Sequence, residues 1–294
     1  MIYLFRLGGL GDLLVALPSV RLVRGVLSGK RLVLVGRKDY GLLLERAGVV
    51  DEAASADEAR WAPLIAAFSD PDARRLDLAP GLAGLGSDDL VLGWFGGTGR
   101  ERRPGPLHRF FFEETEAFFR SRGFSTPPFE ACAGLPAIGP GTGGRPALFG
   151  GGDPAGRFAV IHPGSGSPRK CWPVDRFLAV AAALSGRGIG GLVVTGLAEG
   201  RLEPALRTAP LPAGWTWRPN PPLPDLAAWL AEAGVYLGND SGVTHLAAAC
   251  GTRTVALFRD EFKDAWRPAG DVRLLSAPEV ADIPVSSVLE AVST

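Results

Sequence analysis

The stretch Val235–Phe258, VYLGNDSGVTHLAAACGTRTVALF, decides the fold. An apolar run, Val235-Tyr236-Leu237, ends at Gly238-Asn239-Asp240-Ser241-Gly242. A small-residue helix pattern, His245 to Cys250, follows and stops at Gly251. A second run, Thr254 to Phe258, comes next. Strand, polar turn, helix, strand is the grammar of a parallel sheet with crossover helices. Asp240 or Ser241 can cap the helix, and Gly242 lets a ligand approach its first turn closely. Free N–H groups at a helix N-terminus, with the positive end of the dipole, make an anion site. His245 falls near that first turn and can add a proton or a positive charge. The plainer reading is a well-capped crossover helix carrying an incidental histidine.

Outward from this stretch, the same alternation recurs. On the N-terminal side, strands are expected at Met1–Phe5, Arg31–Val35 and Asp89–Phe95, with a third short one starting at Val49-Val50. Helices are expected at Leu13–Leu27, Tyr40–Ala47, Glu58–Phe68 and Arg109–Arg122, the first kinked or broken early at Pro18. Gly134–Gly156, GLPAIGPGTGGRPALFGGGDPAG, is a composition break of the kind that joins domains. Beyond it, strands at Phe158–His162 and Gly191–Thr195 alternate with helices at Pro173–Leu184, Leu202–Arg207 and Leu223–Ala233. A last amphipathic helix covers Pro284–Val292. The fold class is α/β, with two Rossmann-like domains, 1–150 and 151–294, the final helix packing back on the first. Two such halves imply a ligand cleft between them.

Composition bounds the function. The 294 residues carry 31 Lys+Arg against 31 Asp+Glu, so no global field recruits nucleic acid. Cys132, Cys171 and Cys250 lie far apart and form no CxxC pair, which argues against a disulfide framework and a zinc site. A reduced, cytoplasmic compartment is the simplest reading. MIYLFRLGG begins directly with a strand and has no signal-peptide pattern. No apolar run approaches the roughly 18 residues of a spanning helix.

Three loops can carry chemistry. In Arg6–Asp12, Gly9-Leu10-Gly11 lacks the third glycine of a dinucleotide fingerprint, since position 14 is Leu14. What remains is a Gly-rich turn presenting Asp12 near a helix start, either as a cap or as a general base. In Ile161–Pro173, IHPGSGSPRKCWP, small residues and Lys170 suit a diphosphate, although Arg169 excludes a Walker A loop. The plain alternative is that Trp172 plugs the domain and Lys170 is solvated. The third loop is the turn quoted at the outset. His162 falls at a strand end beside it, whereas His108, among Arg102, Arg103 and Arg109, reads as part of a solvated loop. Asp70-Pro71-Asp72 reads as a turn, and nothing supports a metal centre.

With these loops in this order the chain resembles glycosyltransferase family 9, the ADP-heptose:lipopolysaccharide heptosyltransferases. The resemblance rests on Arg6-x-x-x-x-Gly11-Asp12, on Pro163-Gly164 with Lys170-x-Trp172-Pro173, and on Gly238-Asn239-Asp240-Ser241-Gly242 with Thr244-His245-Leu246-Ala247-Ala248. It implies a GT-B architecture and a metal-independent, inverting transfer with no cofactor beyond the nucleotide-sugar substrate, ADP-linked. It implies that Asp12 is the catalytic base, with Gly9 and Gly11 in the acceptor-side loop. It further implies that Lys170 and Ser165 meet the donor diphosphate, and that Asp240, Ser241, Gly242 and His245 hold sugar and phosphates. Glu199 is the acidic residue expected at the nucleoside, with Glu203 as competitor. The family usually has serines where this chain has Gly8 and Gly9.

The implied partners are a nucleotide-sugar donor and a glycolipid or oligosaccharide acceptor of the cell envelope. Arg100–Arg109 with Phe110–Phe112 can touch a phosphorylated acceptor or the inner face of the cytoplasmic membrane. The favoured reading is a solvated loop before a core-facing aromatic helix. A nucleotide-sugar-binding protein without turnover is the alternative on the same scaffold. An NAD-dependent oxidoreductase is disfavoured by the missing glycine.

Overall fold

A computed structural model describes residues 1–68, 88–94, 105–137 and 158–293. The chain divides into two compact units, Met1–Pro136 and Ala137–Thr294, so the division falls inside the Gly/Pro-rich stretch.

Unit 1 holds a parallel sheet of β1 (Ile2–Arg6), β2 (Leu32–Gly36), β3 (Glu52–Ser55) and β4 (Leu90–Gly93), in the order β3-β2-β1-β4. Leu4 lies opposite Leu34 on one side and Leu92 on the other. All five residues of β1 and of β2 are buried, as strands covered on both faces require. Helices α1 (Leu10–Val26), α2 (Lys38–Arg46), α3 (Ala62–Phe68), α4 (Leu107–Arg120) and α5 (Phe129–Cys132) complete this unit. Trp61, 1% exposed, plugs one face, its ring 5.2 Å from that of Tyr3 and 5.5 Å from that of Phe5.

Three expectations for unit 1 need correction. Helix α1 runs 17 residues through Pro18, which is buried within it. Val49-Val50 starts no strand: both N–H groups return to the Leu44 carbonyl behind the left-handed Gly48, closing α2. His108 is no part of a solvated loop. It is buried on α4 and stacks on Phe129 at 5.5 Å. Phe111, Phe112 and Phe119 share that buried face, while Glu113 and Glu114 are exposed. Asp70-Pro71-Asp72 and Arg100–Arg103 lie outside the described residues.

Unit 2 holds a six-stranded parallel sheet: β5 (Ala159–His162), β6 (Gly191–Thr195), β7 (Trp215–Pro219), β8 (Val235–Asn239), β9 (Thr254–Arg259) and β10 (Val272–Ala277). Its order is β10-β9-β8-β5-β6-β7. The chain walks outward from β5 to β7, returns to β8 beside β5, and walks out the other way. That reversal creates a switch point between β5 and β8, where ligands bind outside the carboxyl ends of open parallel sheets. Helices α6 (Val174–Ser185), α7 (Glu203–Thr208), α8 (Leu223–Glu232), α9 (Gly242–Ala249) and α10 (Val285–Ser293) connect and cover it.

Two strands, β7 and β10, were not expected. Both are edge strands, exposed or half-exposed along most of their length, so they lack the continuous apolar run that marks the central ones. Within unit 2, the last helix α10 packs on α6, β8 and β9, with Val288, Ala291 and Val292 in the core of that unit. Its buried apolar stripe matches that core. No helix among the described residues is long and apolar enough to cross a membrane.

The core of unit 1 depends on Trp61. Trp61→Ala is expected to destabilise the protein by about 3–5 kcal/mol. Trp61→Phe, which removes an indole N–H that has no partner among the described residues, is expected to cost much less. Urea denaturation of the two variants checks this; equal losses would reject the packing account.

Candidate active site

Unit 2 builds its site at the β5/β8 switch point. Ser241, two residues past the end of β8, is the N-cap of α9, its hydroxyl accepting from the Thr244 N–H. Gly242 and Val243 then present the first N–H groups of the helix, which have no intrahelical acceptor. This positive helix end faces the loop that leaves β5. There Lys170 Nζ lies 2.7 Å from Asp240 Oδ2 and 4.8 Å from the Phe262 ring centre. Asp240 is 6% exposed, whereas the lysine side chain keeps 29% of its surface. A lysine held this way by a buried carboxylate is a fixed cation, so its solvated alternative falls away. Trp172 is a plug indeed: 1% exposed, edge-on to Phe177, with its indole N–H donated to the Ile283 carbonyl.

One side chain that sequence reasoning did not single out fastens these loops. Asn239, fully buried, accepts from the Trp172 N–H at 2.9 Å and donates to the Pro163 and Gly164 carbonyls at 2.9 and 3.2 Å. Ser165 adds a bond from its hydroxyl to the Asp240 carbonyl at 2.7 Å. Ser165 is 2% exposed, so in this structure it braces the loop. His245, expected to offer a proton or charge, is also buried, at 5%.

Glu199 belongs to the same network by an unexpected route. Its carboxylate accepts from the Gly196 N–H at 2.6 Å and lies 3.6 Å from His162 Nε2; His162 Nδ1 lies 3.3 Å from Ser241 Oγ. All three groups are thereby connected from the β6 turn to the cap of α9. A Cβ on Gly164 would sit 2.1 Å from Glu199 Cγ, so only glycine lets the β5 loop close over this side chain. Glu203 instead pairs with Arg207 at 3.1 Å on α7. Burial opposes the charge of Glu199, yet His162, the Gly196 N–H and Arg201 together hold its carboxyl below the usual range.

In unit 1 the corresponding switch lies between β1 and β4. Arg6, 6% exposed, bonds the Asp12 carbonyl through Nε at 2.8 Å, the Asp12 carboxylate through Nη2 at 3.1 Å, and the Trp94 carbonyl beyond β4 through Nη1. The other Asp12 oxygen accepts from the Gly9 N–H at 2.8 Å. Asp12 is thus a cap, as one reading has it, but its side chain remains 36% exposed. Each carboxylate oxygen also keeps a second lone pair. Gly8 has φ +116°, and a Cβ there would meet the Asp12 carboxylate at 2.7 Å. In this backbone conformation a side chain at position 8 would be strained. Gly11 follows inside the first turn of α1.

The folded-state pKa of Glu199 lies below its unfolded one. Its contribution to stability is therefore full above the ordinary carboxylate value, about 4.3, and is lost as pH falls through the folded value. Glu199→Gln is expected to destabilise the protein at pH 7 and to cost much less at pH 3.5. Urea melts at both pH values check this; an equal cost at both would reject it.

The comparisons with known proteins bear on the fold that carries this site. The model of glycosyltransferase family 9 (heptosyltransferase) matches residues 149–277. Lipopolysaccharide heptosyltransferase 3 of Escherichia coli is 28% identical over 158 residues, 46% of this chain and 46% of that protein, so the match spans about half of each. Among solved structures, the glycosyl transferase family 9 protein of Veillonella parvula has a TM-score of 0.72 at 15% identity, covering 99% of this chain and 95% of that one. The E. coli heptosyltransferase WaaC with ADP gives 0.69 at 17%, covering 99% and 98%. E. coli ADP-heptose LPS heptosyltransferase II gives 0.68 at 17%, covering 99% and 97%. The fold, two parallel-sheet units in the order of the GT-B heptosyltransferases, is common to all of them. The part that matches the glycosyltransferase family 9 (heptosyltransferase) model, residues 149–277, is the part that holds the Lys170 loop and the α9 cap.

Proposed function

We propose that this chain is an inverting glycosyltransferase that moves a heptose or a related sugar from an ADP-linked donor to a lipopolysaccharide-type or other cell-envelope acceptor. The observation that carries this reading is the fixed cation, Lys170, beside the first N–H groups of α9 at the β5/β8 switch point. A departing nucleoside diphosphate gathers negative charge, and a lysine with a helix N-terminus stabilises it without reorganising. WaaC with ADP and with ADP-2-deoxy-2-fluoro heptose, among the structural relatives, supports the choice of ADP.

In the proposed step the acceptor hydroxyl oxygen attacks the anomeric carbon, the bond from that carbon to the diphosphate breaks, and Asp12 takes the hydroxyl proton. Arg6 and the Gly9 N–H hold the Asp12 carboxylate in one orientation, so a single exposed face is offered to the acceptor. Asp240 keeps Lys170 in place before the donor arrives; with the diphosphate bound, the cation is shared between them. Three free cysteines agree with a reduced, cytoplasmic setting, and an acceptor in the inner membrane would make the protein peripheral to it. Binding of a nucleotide sugar without turnover is the second reading. It draws on Gly8 and Gly9, which offer an acceptor no side chain.

Two measurements separate these readings. Calorimetric titration is expected to give selective ADP binding, weakened roughly 10- to 100-fold in Lys170→Ala; unchanged affinity would reject the diphosphate role. In a transfer assay with ADP-heptose, Asp12→Asn is expected to keep donor affinity and to lose at least about 10²-fold in rate. Transfer retained by that variant would sink the base, and no transfer by the wild type would favour binding alone.

A further inference from the structure

Lys170 has a second neighbour besides Asp240, and it comes from the end of a third strand. Asp240 leaves β8 with its N–H donated to the Leu257 carbonyl of β9 at 3.0 Å. β9 ends at Arg259, and the turn beyond it brings Phe262 to the lysine. The Phe262 ring centre lies 4.8 Å from Lys170 Nζ, against which Asp240 Oδ2 stands at 2.7 Å. The backbone at Phe262 is tied on both sides. Its N–H donates to the Arg259 carbonyl at 3.1 Å, and its carbonyl accepts from the Trp266 N–H at 3.0 Å. Phe262 and Trp266 are partly buried against the core of Ala248, Ala256, Phe258 and Val272. The lysine side chain meanwhile keeps 29% of its surface, so a ligand can still reach it.

The kind of group that meets the lysine is informative. The turn also carries Asp260, Glu261 and Asp264, so carboxylates stand on either side of position 262 in sequence. Asp260 pairs with Lys263 at 3.1 Å and Glu261 with Arg259 at 3.2 Å. What this turn lays on the lysine is an uncharged ring. An aromatic face attracts a cation through its quadrupole and carries no net charge. A second carboxylate would hold the ammonium as well, but it would cancel the charge an incoming diphosphate meets and repel the diphosphate itself. Asp240 by itself is a contested holder, because a diphosphate competes with it for the same ammonium as one anion with another. The ring goes on attracting the ammonium with the ligand bound. It also keeps the cation near Asp240, which at 6% exposed is costly to leave unpaired.

We propose that Phe262 is a positioning residue for the donor diphosphate: its ring face holds the Lys170 ammonium in place without adding a negative charge that would repel the ligand. This rests on the nucleotide-donor reading given above. Phe262 acts through Lys170 and not on the donor directly. The apparent affinity of a site falls with the fraction of molecules in the competent arrangement. A ring that attracts the ammonium less leaves more molecules with the lysine elsewhere, and these bind the diphosphate less well.

The test replaces Phe262 in the full chain by singly, doubly and triply fluorinated phenylalanine. These keep the shape of the ring while withdrawing negative charge from its face step by step. Calorimetric titration with ADP is expected to show affinity falling along the series, by about 2- to 5-fold at the triply fluorinated ring. The same series in a Lys170→Ala background is expected to be flat, since no ammonium is left to hold. Phe262→Glu is expected to bind ADP more weakly than Phe262→Leu, which removes the ring without adding charge. If these two fail to fold, the fluorinated series decides. A flat series in the wild-type background, or an equal fall in the Lys170→Ala background as packing alone would give, would overturn the assignment. If wild type binds ADP and the series is flat, only the role of Phe262 fails. If wild type binds no ADP, the donor reading fails and this inference with it.

Discussion

The primary amide of Asn239 is the constraint on which unit 2's site depends. It sits where the chain reverses direction across the sheet, fully buried, and uses its oxygen and its NH2 group on three backbone partners of the neighbouring loop. The loop offers one N–H and two carbonyls; a carboxylate has no hydrogen to donate and a hydroxyl has only one, whereas an amide accepts through its oxygen and donates two. With that loop fixed, the other groups fall into place: Ser165 on the Asp240 carbonyl, Lys170 on the Asp240 carboxylate, and Trp172 sunk into the core. Buried polar networks of this kind are costly if incomplete and specify one arrangement when satisfied.

Charge is handled differently in the two units. In unit 1 a buried guanidinium does the fixing: Arg6 spans β1, the start of α1 and the end of β4, and burial pulls its pKa down while the neighbouring Asp12 carboxylate pulls it up. The exposed partner is the carboxylate. In unit 2 the arrangement is inverted, with buried Asp240 fixing the more exposed Lys170. In each pair the buried member acts as scaffold and the exposed one stays available to a substrate, which keeps the desolvation cost on the group that does not react.

Much of this was legible in the sequence, for identifiable reasons. Continuous apolar runs such as Val33-Leu34-Val35 and Leu192-Val193-Val194 mark strands covered on both faces, and those were located to within a residue or two. The turn Gly238–Gly242 announced a helix cap because small polar residues ending a strand have few other uses. The strands β7 and β10 were hidden because edge strands are half-solvated and their residues alternate between environments. Asn239, Arg6 and His162 were hidden for another reason. Asn239 and His162 find their partners tens of residues away, and Arg6 joins the nearby Asp12 to the distant Trp94 carbonyl; local spacing carries no trace of a bond between position 239 and position 163 or between position 6 and position 94. His108 was misread for the same reason, since three arginines beside it in sequence said nothing of Phe129.

The anchoring of Trp172 bears on how the chain is made. Its indole N–H ends on the Ile283 carbonyl, Arg176 bonds carbonyls at Ala281 and Ile283, and Val288, Ala291 and Val292 fill the same core as Val193 and Leu237. Synthesis proceeds from the N-terminus, and domains fold as units while the chain emerges. Unit 1 is one continuous segment with its own core and can fold on the ribosome long before the chain is finished. Unit 2 cannot seat Trp172, nor close its β5 loop upon Asn239, until the segment around residues 281–292 has left the exit tunnel. A nascent chain therefore carries the carboxylate of Asp12 on a folded platform well before it can hold a donor.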